Sequence, residues 1–105
     1  MSDYLPDVYI RFCERYPEVA RALDGLGKAT EGAGGLDARA QCLVKLGVAI
    51  GALAEGAVRS NVRKARTVGL TDDEIRQTAV LAISTAGFPA AIAAGAWIEE
   101  VLAAQ

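Results

Sequence analysis

The sequence contains few side chains that could carry out acid–base or redox chemistry. None of its 105 residues is histidine, the only side chain whose ordinary pKa lies between about pH 5 and 8. The two cysteines, Cys13 and Cys42, lie 29 positions apart and form no C-x-x-C pair. Histidine-based triads and dyads, zinc knuckles and vicinal redox dithiols are therefore excluded. We expect no metal and no cofactor.

Polar residues that could bind a substrate are concentrated between positions 55 and 66. Glu55, Arg59 and Arg63 follow one another at four-residue spacing, which places them on one face of a helix. Such a row is typical of a solvated face with one Glu–Arg pair. Alternatively, Arg59 or Arg63 lies at the rim of a pocket lined by Ser60 and Asn61 and attracts an anionic substrate.

Asn61 and Cys42 are polar or reactive residues at positions that the helical spacing turns inward. Asn61 falls within an apolar stripe, so its amide is either satisfied by a neighbouring group or lines a pocket. Cys42 lies one turn before Leu46, and a buried free cysteine usually behaves as a small hydrophobic residue. A reactive Cys42 would need a thiol pKa depressed by a nearby cation or helix N-terminus.

The composition predicts one globular domain that does not bind nucleic acid. Hydrophobic residues make up 52% of the chain and charged residues 23%, which is enough apolar surface for a core. The formal net charge of -2 leaves no basic excess to neutralise phosphates.

A run of uncharged residues at positions 79–98 is long enough to cross a bilayer. Gly87-Phe88-Pro89 interrupts it, and alanine, glycine, serine and threonine predominate where a spanning helix is usually rich in larger apolar residues. The first residues also lack the basic and apolar regions of a secretory signal. We therefore expect a cytoplasmic protein that is not inserted in a membrane.

Glycine and proline divide the chain into segments of helical length, and no segment alternates like a strand, so the sequence predicts an all-α fold. Asp37 is expected to cap the third helix, and Thr71 with Glu74 forms a capping box for the fifth. The third helix is apolar on every side at positions 46–54, and the sixth carries a seam of small residues; both features suggest contacts between subunits. The six predicted helices cover residues 6–15, 17 to the glycine-rich loop at 32–35, 38–53, 55–68, 72–86 and 89–102.

From about residue 36 to residue 102, the sequence resembles the carboxymuconolactone decarboxylase and alkyl hydroperoxidase D family. The resemblance rests on an ordered set of motifs: LVKLG at 43–47, AEGA at 54–57, NVRKA at 61–65, GLT at 69–71, DEI at 73–75 and GFPAA at 87–91. It implies a helical domain over residues 1–105, with residues 1–35 as an N-terminal extension packed on the family core. It also implies a homo-oligomer, either a trimer or a hexamer.

The chain departs from this family at the positions that carry its chemistry. The resemblance places the two cysteines of the peroxidase members at Ala54 and Ala57 and their histidine at Asn61, while an acidic residue on the preceding helix aligns with Cys42. A disulfide-based peroxidase cycle cannot run without these groups. Decarboxylase-type members also keep a histidine at the Asn61 position, and asparagine cannot exchange a proton near neutral pH.

Three functions remain open at the level of sequence. The first is a homo-oligomer with a degenerate active site that binds a small anionic ligand or has a structural role. The second is a non-redox decarboxylase or lactone-processing enzyme that uses Glu55 as acid or base and Arg59 to hold a carboxylate. The third is a peroxiredoxin-like, one-cysteine peroxidase that acts through Cys42 and is recycled by an external thiol.

Overall fold

The chain forms six α-helices in a computed structural model that describes residues 7–104. No strand occurs among these residues, so the predicted all-α class is confirmed. The predicted start of the first helix at Pro6 lies outside the described residues. The helices are α1 (Asp7–Arg15), α2 (Pro17–Glu31), α3 (Ala38–Gly51), α4 (Glu55–Thr67), α5 (Asp72–Ala86) and α6 (Phe88–Ala103).

The chain separates into two compact units, residues 1–35 and residues 36–105. In the first unit, Pro17 begins α2, where its missing N–H and fixed φ suit the first helical turn. Phe12 and Tyr16 contact each other with ring centroids 5.4 Å apart. Neither α1 nor α2 contains a buried residue.

The second unit holds the core, to which α3, α4, α5 and α6 all contribute. Leu46, Ile50, Val58, Ile75 and Ile98 are among the side chains that are completely buried. Cys42 and Trp97 are partly buried and pack against this core. The apolar spacing that predicted the helices therefore also predicts which of their faces meet.

The predicted caps of α3 and α5 are confirmed. The Asp37 carboxylate accepts a hydrogen bond from the Ala40 N–H at 2.9 Å. The Thr71 hydroxyl accepts from the Glu74 N–H at 3.0 Å, and the Glu74 carboxylate accepts from the Thr71 N–H at 2.8 Å. These bonds satisfy amides that the first turn of a helix leaves without an intrahelical partner.

Helix α3 ends at Gly51, two residues earlier than the sequence predicted. Leu53 adopts a positive φ of 53°, in the left-handed region that side chains with a Cβ rarely enter, and so ends the helix. The Ala54 N–H then bonds back to the Ala49 carbonyl at 3.0 Å. The chain can thus reverse direction just before α4.

The small-residue seam of α6 does not form an exposed surface, which corrects the expectation that it serves as a subunit contact. Ala90, Ala91, Ala94 and Ile98 are all buried within the chain. The small side chains let α6 approach its own neighbours α4 and α5 closely. The seam therefore belongs to the core of a single chain.

The uncharged run at residues 79–98 is divided between α5 and α6. Gly87 joins the two helices with φ 102° and ψ 153°, a conformation that is essentially restricted to glycine. Within residues 7–104, no helix is both long enough and apolar enough to cross a membrane.

Candidate functional site

The residues predicted to bind or transform a substrate lie mainly on the first two turns of α4. Glu55 begins this helix, and its carboxylate accepts a hydrogen bond from the Arg59 Nε at 3.0 Å. The Arg59 Nη2 donates to Glu100 on α6 at 2.6 Å. We call Glu55, Arg59 and Glu100 the Arg59 cluster. It joins the start of α4 to the end of α6.

The electrostatics of the Arg59 cluster are those of a structural ion pair. The hydrogen bond to Glu100 is the largest cause of a raised pKa for Arg59; partial desolvation opposes it and the bond to Glu55 adds to it. The Arg59 side chain is 28% exposed, whereas both carboxylates are at least half exposed. Two carboxylates therefore already neutralise the guanidinium that was expected to attract an anion.

Asn61 is partly buried on the same helix, and its amide has a partner. The Asn61 Nδ2 donates to the Ala57 carbonyl at 2.9 Å, one helical turn earlier. The amide nitrogen of Asn61 thus has a backbone partner within its own helix, as a polar residue in an apolar stripe requires. Ser60, next to it, is also partly buried.

Cys42 is separated from these groups in the sequence and lies on α3. Its side chain is partly buried and packs against the core that contains Leu46 and Ile50. This is the inward direction that the helical spacing predicts. In the described part of the chain, no cluster of three or more histidine, cysteine, aspartate or glutamate side chains could hold a metal ion.

A cleft between α3 and α5 is the feature that sequence reasoning missed. Its volume is about 560 Å³, and none of the predicted site residues lines it. The apolar run at positions 46–54 was the available signal, because only one side of α3 is buried in the chain. Val44 and Val48 stay more than half exposed on the other side. The cleft is lined by Leu43, Val44, Gly47, Val48, Gly51, Glu74, Gln77, Thr78, Leu81, Ala82, Thr85 and Ala86.

Two glycines set how closely the walls of this cleft approach each other. A Cβ placed on Gly47 would lie 3.9 Å from the Thr78 Cγ2, and one placed on Gly51 would lie 4.0 Å from the Ala86 Cβ. Both are ordinary van der Waals distances, so an alanine would fit at either position. A larger side chain would enter the space between α3 and α5.

Glu74 lies at one end of the cleft and has several partners. Besides the Thr71 N–H, its carboxylate binds Arg39 Nη2 at 3.1 Å, while Arg39 Nη1 donates to the Gly69 carbonyl at 2.8 Å. The Thr71 N–H is the largest cause that holds the pKa of Glu74 below its usual value, and Arg39 adds to it. This carboxylate is therefore ionised and already engaged at neutral pH.

The structure is therefore that of a helical protein in which Glu55 and Arg59, at the start of α4, bond to each other. Its open cleft lies between α3 and α5. A comparison with protein families finds a match to the carboxymuconolactone decarboxylase family over residues 17–100. The chain belongs to this family. The match includes α2, so it begins earlier than the resemblance at residues 36–102. Neither the curated proteins nor the solved structures give a significant match.

Proposed function

We propose that this chain is a non-redox member of its family that works as a homo-oligomeric, small-molecule-binding protein. The observation that carries the proposal is the chemistry at the start of α4. Where the family resemblance places two thiols and an imidazole, the chain has Ala54, Ala57 and Asn61, and the Asn61 amide bonds to the Ala57 carbonyl. No group at these three positions can form a thiolate or exchange a proton near pH 7.

The contacts of Glu55, Arg59 and Cys42 give less support to a non-redox enzyme or to a one-cysteine peroxidase. Glu55 and Arg59 bond to each other, and Arg59 also bonds to Glu100, so a substrate carboxylate would have to displace one of two existing partners. Cys42 packs against the core, and a peroxidase cysteine must meet both a hydroperoxide and an external thiol.

Binding is supported by the size of the α3–α5 cleft. Ligand sites commonly have volumes of roughly 300–1,000 Å³ and are mostly apolar with a few polar groups. The cleft volume of about 560 Å³ falls within this range.

Assembly into a trimer or hexamer is supported by apolar side chains that one chain leaves uncovered. Phe88 and Ile92 lie one turn apart on α6 and are each 58% exposed. Large exposed apolar residues grouped on one face commonly mark an interaction surface. Light scattering of the purified protein should give a multiple of the 10.9 kDa chain mass, and a monomeric mass at micromolar concentration would contradict this part of the proposal.

The test of non-redox function is an assay of hydroperoxide consumption in the presence of dithiothreitol. We expect wild type and Cys42→Ala to match the rate of dithiothreitol alone. Consumption that depends on Cys42 would instead establish a one-cysteine peroxidase. A lactone or carboxylate substrate whose turnover disappears in Glu55→Gln would establish the non-redox enzyme.

The test of binding is a thermal-shift screen against small carboxylates, lactones, quinones and hydroperoxides. A ligand at about a hundred times its dissociation constant adds roughly 2.7 kcal/mol to the free energy of unfolding, which raises the midpoint of a domain of this size by about ten degrees or more. A panel in which no class of compound moves the midpoint would refute a binding function.

A further inference from the structure

We propose that the α3–α5 cleft is the ligand site of this protein and that its ligand is a neutral, mainly apolar molecule carrying hydrogen-bonding oxygen atoms. This inference rests on the proposed binding function and adds to it a place and a chemical class. The ligand site is then the cleft and not the surroundings of Arg59 and Asn61 on α4.

The walls of the cleft favour an apolar ligand. Leu43, Val44 and Val48 come from α3, and Leu81 and Ala82 come from α5. Leu81 is 62% exposed in the chain, so a molecule in the cleft would remove a large apolar surface from water. Burial of that surface would be the main driving force for binding.

Apart from Glu74, the polar side chains that line the cleft are neutral, and two of them are available to a ligand. Gln77 and Thr85 line it on either side of Leu81, at i and i+8 of one helix, which separates them by roughly 12 Å along the axis. Among the described residues, neither the Gln77 amide nor the Thr85 hydroxyl has a hydrogen-bond partner. Thr78, between them, has its hydroxyl 3.4 Å from the Glu74 carbonyl. The amide and hydroxyl can therefore bond to carbonyl, ether or hydroxyl oxygens of a ligand.

The charges argue against an ionic ligand. Glu74 is the one ionisable residue among the described residues that line the cleft. Its carboxylate is held by the Thr71 N–H and Arg39, so a cationic ligand would have to compete with Arg39. An anionic ligand would meet a like charge and find no cation in the lining. Since a charge is costly to bury without a partner, the cleft selects against both.

The test uses three naphthalene compounds of nearly equal size that differ in charge: methyl naphthyl ketone, naphthoate and naphthylmethylammonium. Dissociation constants are measured by fluorescence titration of the intact protein at pH 7. We expect the ketone to bind at least about tenfold more tightly than either ion, because only the ketone avoids an unpaired charge in the cleft. Equal or tighter binding of an ion would overturn the charge argument.

Two neighbouring substitutions locate the site. Leu81→Trp places a large ring in the cleft and should weaken ketone binding by about tenfold or more, since it fills the volume that the ligand needs. Val80→Trp is the matched control, because Val80 is equally exposed, at 61%, but does not line the cleft. It should bind the ketone within about twofold of wild type. Circular dichroism and light scattering show whether both variants keep the parental fold and mass.

The outcomes separate this inference from the proposed function. Ketone binding that survives Leu81→Trp but is lost in Asn61→Leu would place the site on α4, which refutes the cleft and leaves the binding function intact. Equal loss in Leu81→Trp and Val80→Trp would also refute the cleft. If none of the three compounds binds, the ligand class is wrong, and the wider thermal-shift panel then decides whether any binding function remains.

Discussion

The role of Arg59 can be decided by removing its guanidinium. Arg59→Met keeps most of the aliphatic stem and breaks the ion pairs to Glu55 and Glu100. Exposed ion pairs contribute about 0.2–1 kcal/mol each, and a pair at i,i+4 of one helix about 0.3–0.5 kcal/mol. The 2.6 Å bond to Glu100 belongs at the upper end of its range, because the Arg59 side chain is only 28% exposed.

These contributions give an expected loss of about 1–1.5 kcal/mol in the free energy of unfolding for Arg59→Met. Both glutamates are at least half exposed and become hydrated when the guanidinium is gone, so no penalty for a buried charge is added. For a domain of this size, the loss corresponds to a fall of roughly 4–12 °C in the unfolding midpoint. The loss should shrink in 1 M salt, where the screening length is only about 3 Å.

The assay is urea unfolding of wild type, Arg59→Met, Glu100→Gln and the double variant. Their free energies form a double-mutant cycle that isolates the bond between α4 and α6, and we expect a coupling of about 0.5–1 kcal/mol. Glu55→Gln is the control within one helix and should cost less than Glu100→Gln. The structural interpretation is wrong if Arg59→Met leaves stability within about 0.3 kcal/mol of wild type while ligand binding or turnover falls.

Three further predictions concern stability. Thr71→Ala removes the capping hydroxyl of α5 and should cost about 1 kcal/mol in urea unfolding, and an unchanged midpoint would show that the cap is dispensable. Glu99 on α6 accepts a hydrogen bond from the Arg76 Nε on α5 at 2.8 Å, which lowers its pKa from 4.5, as Thr71 and Arg39 lower that of Glu74. The stability that the two carboxylates contribute is fully present above that pH and is lost as the pH falls through the lower folded-state values. The urea midpoint should fall between pH 5 and 3, less so in Glu99→Gln, and a constant midpoint would contradict this. Leu46→Ala creates a cavity in the core and should cost about 2–5 kcal/mol, whereas Val48→Ala, on the open side of α3, should cost under about 1 kcal/mol; similar losses would refute the assigned faces of α3.

The helices could be predicted because local signals determine where they begin. Asp37 and Thr71 begin α3 and α5 through bonds to amides within three residues, so their role is readable without knowledge of the fold. The end of α3 could not be predicted as well, because nothing about Leu53 in the sequence indicates a positive φ. Gly87, in contrast, adopts the positive φ that separates α5 from α6, and the sequence does predict a helix break there.

Only the contacts between residues close in sequence could be predicted for the candidate site. The Glu55–Arg59 pair follows from four-residue spacing, but the bond to Glu100 joins residues 41 positions apart and depends on how α4 meets α6. The cleft was missed for a similar reason. An apolar helix such as α3 can be covered by its own chain, by another chain or by a ligand, and periodicity does not distinguish these cases.

The bond between Arg39 and Glu74 has a kinetic consequence. It joins residues 35 positions apart, and α3, α5 and the loop at Gly69 must all be in place before the two side chains meet. Closing such a long loop is entropically costly early in folding, so we expect the bond to form after the helices have docked. Interactions absent from the transition state act on the rate of unfolding and leave the rate of folding nearly unchanged. We therefore expect Arg39 to prolong the lifetime of the native state without guiding the chain toward it.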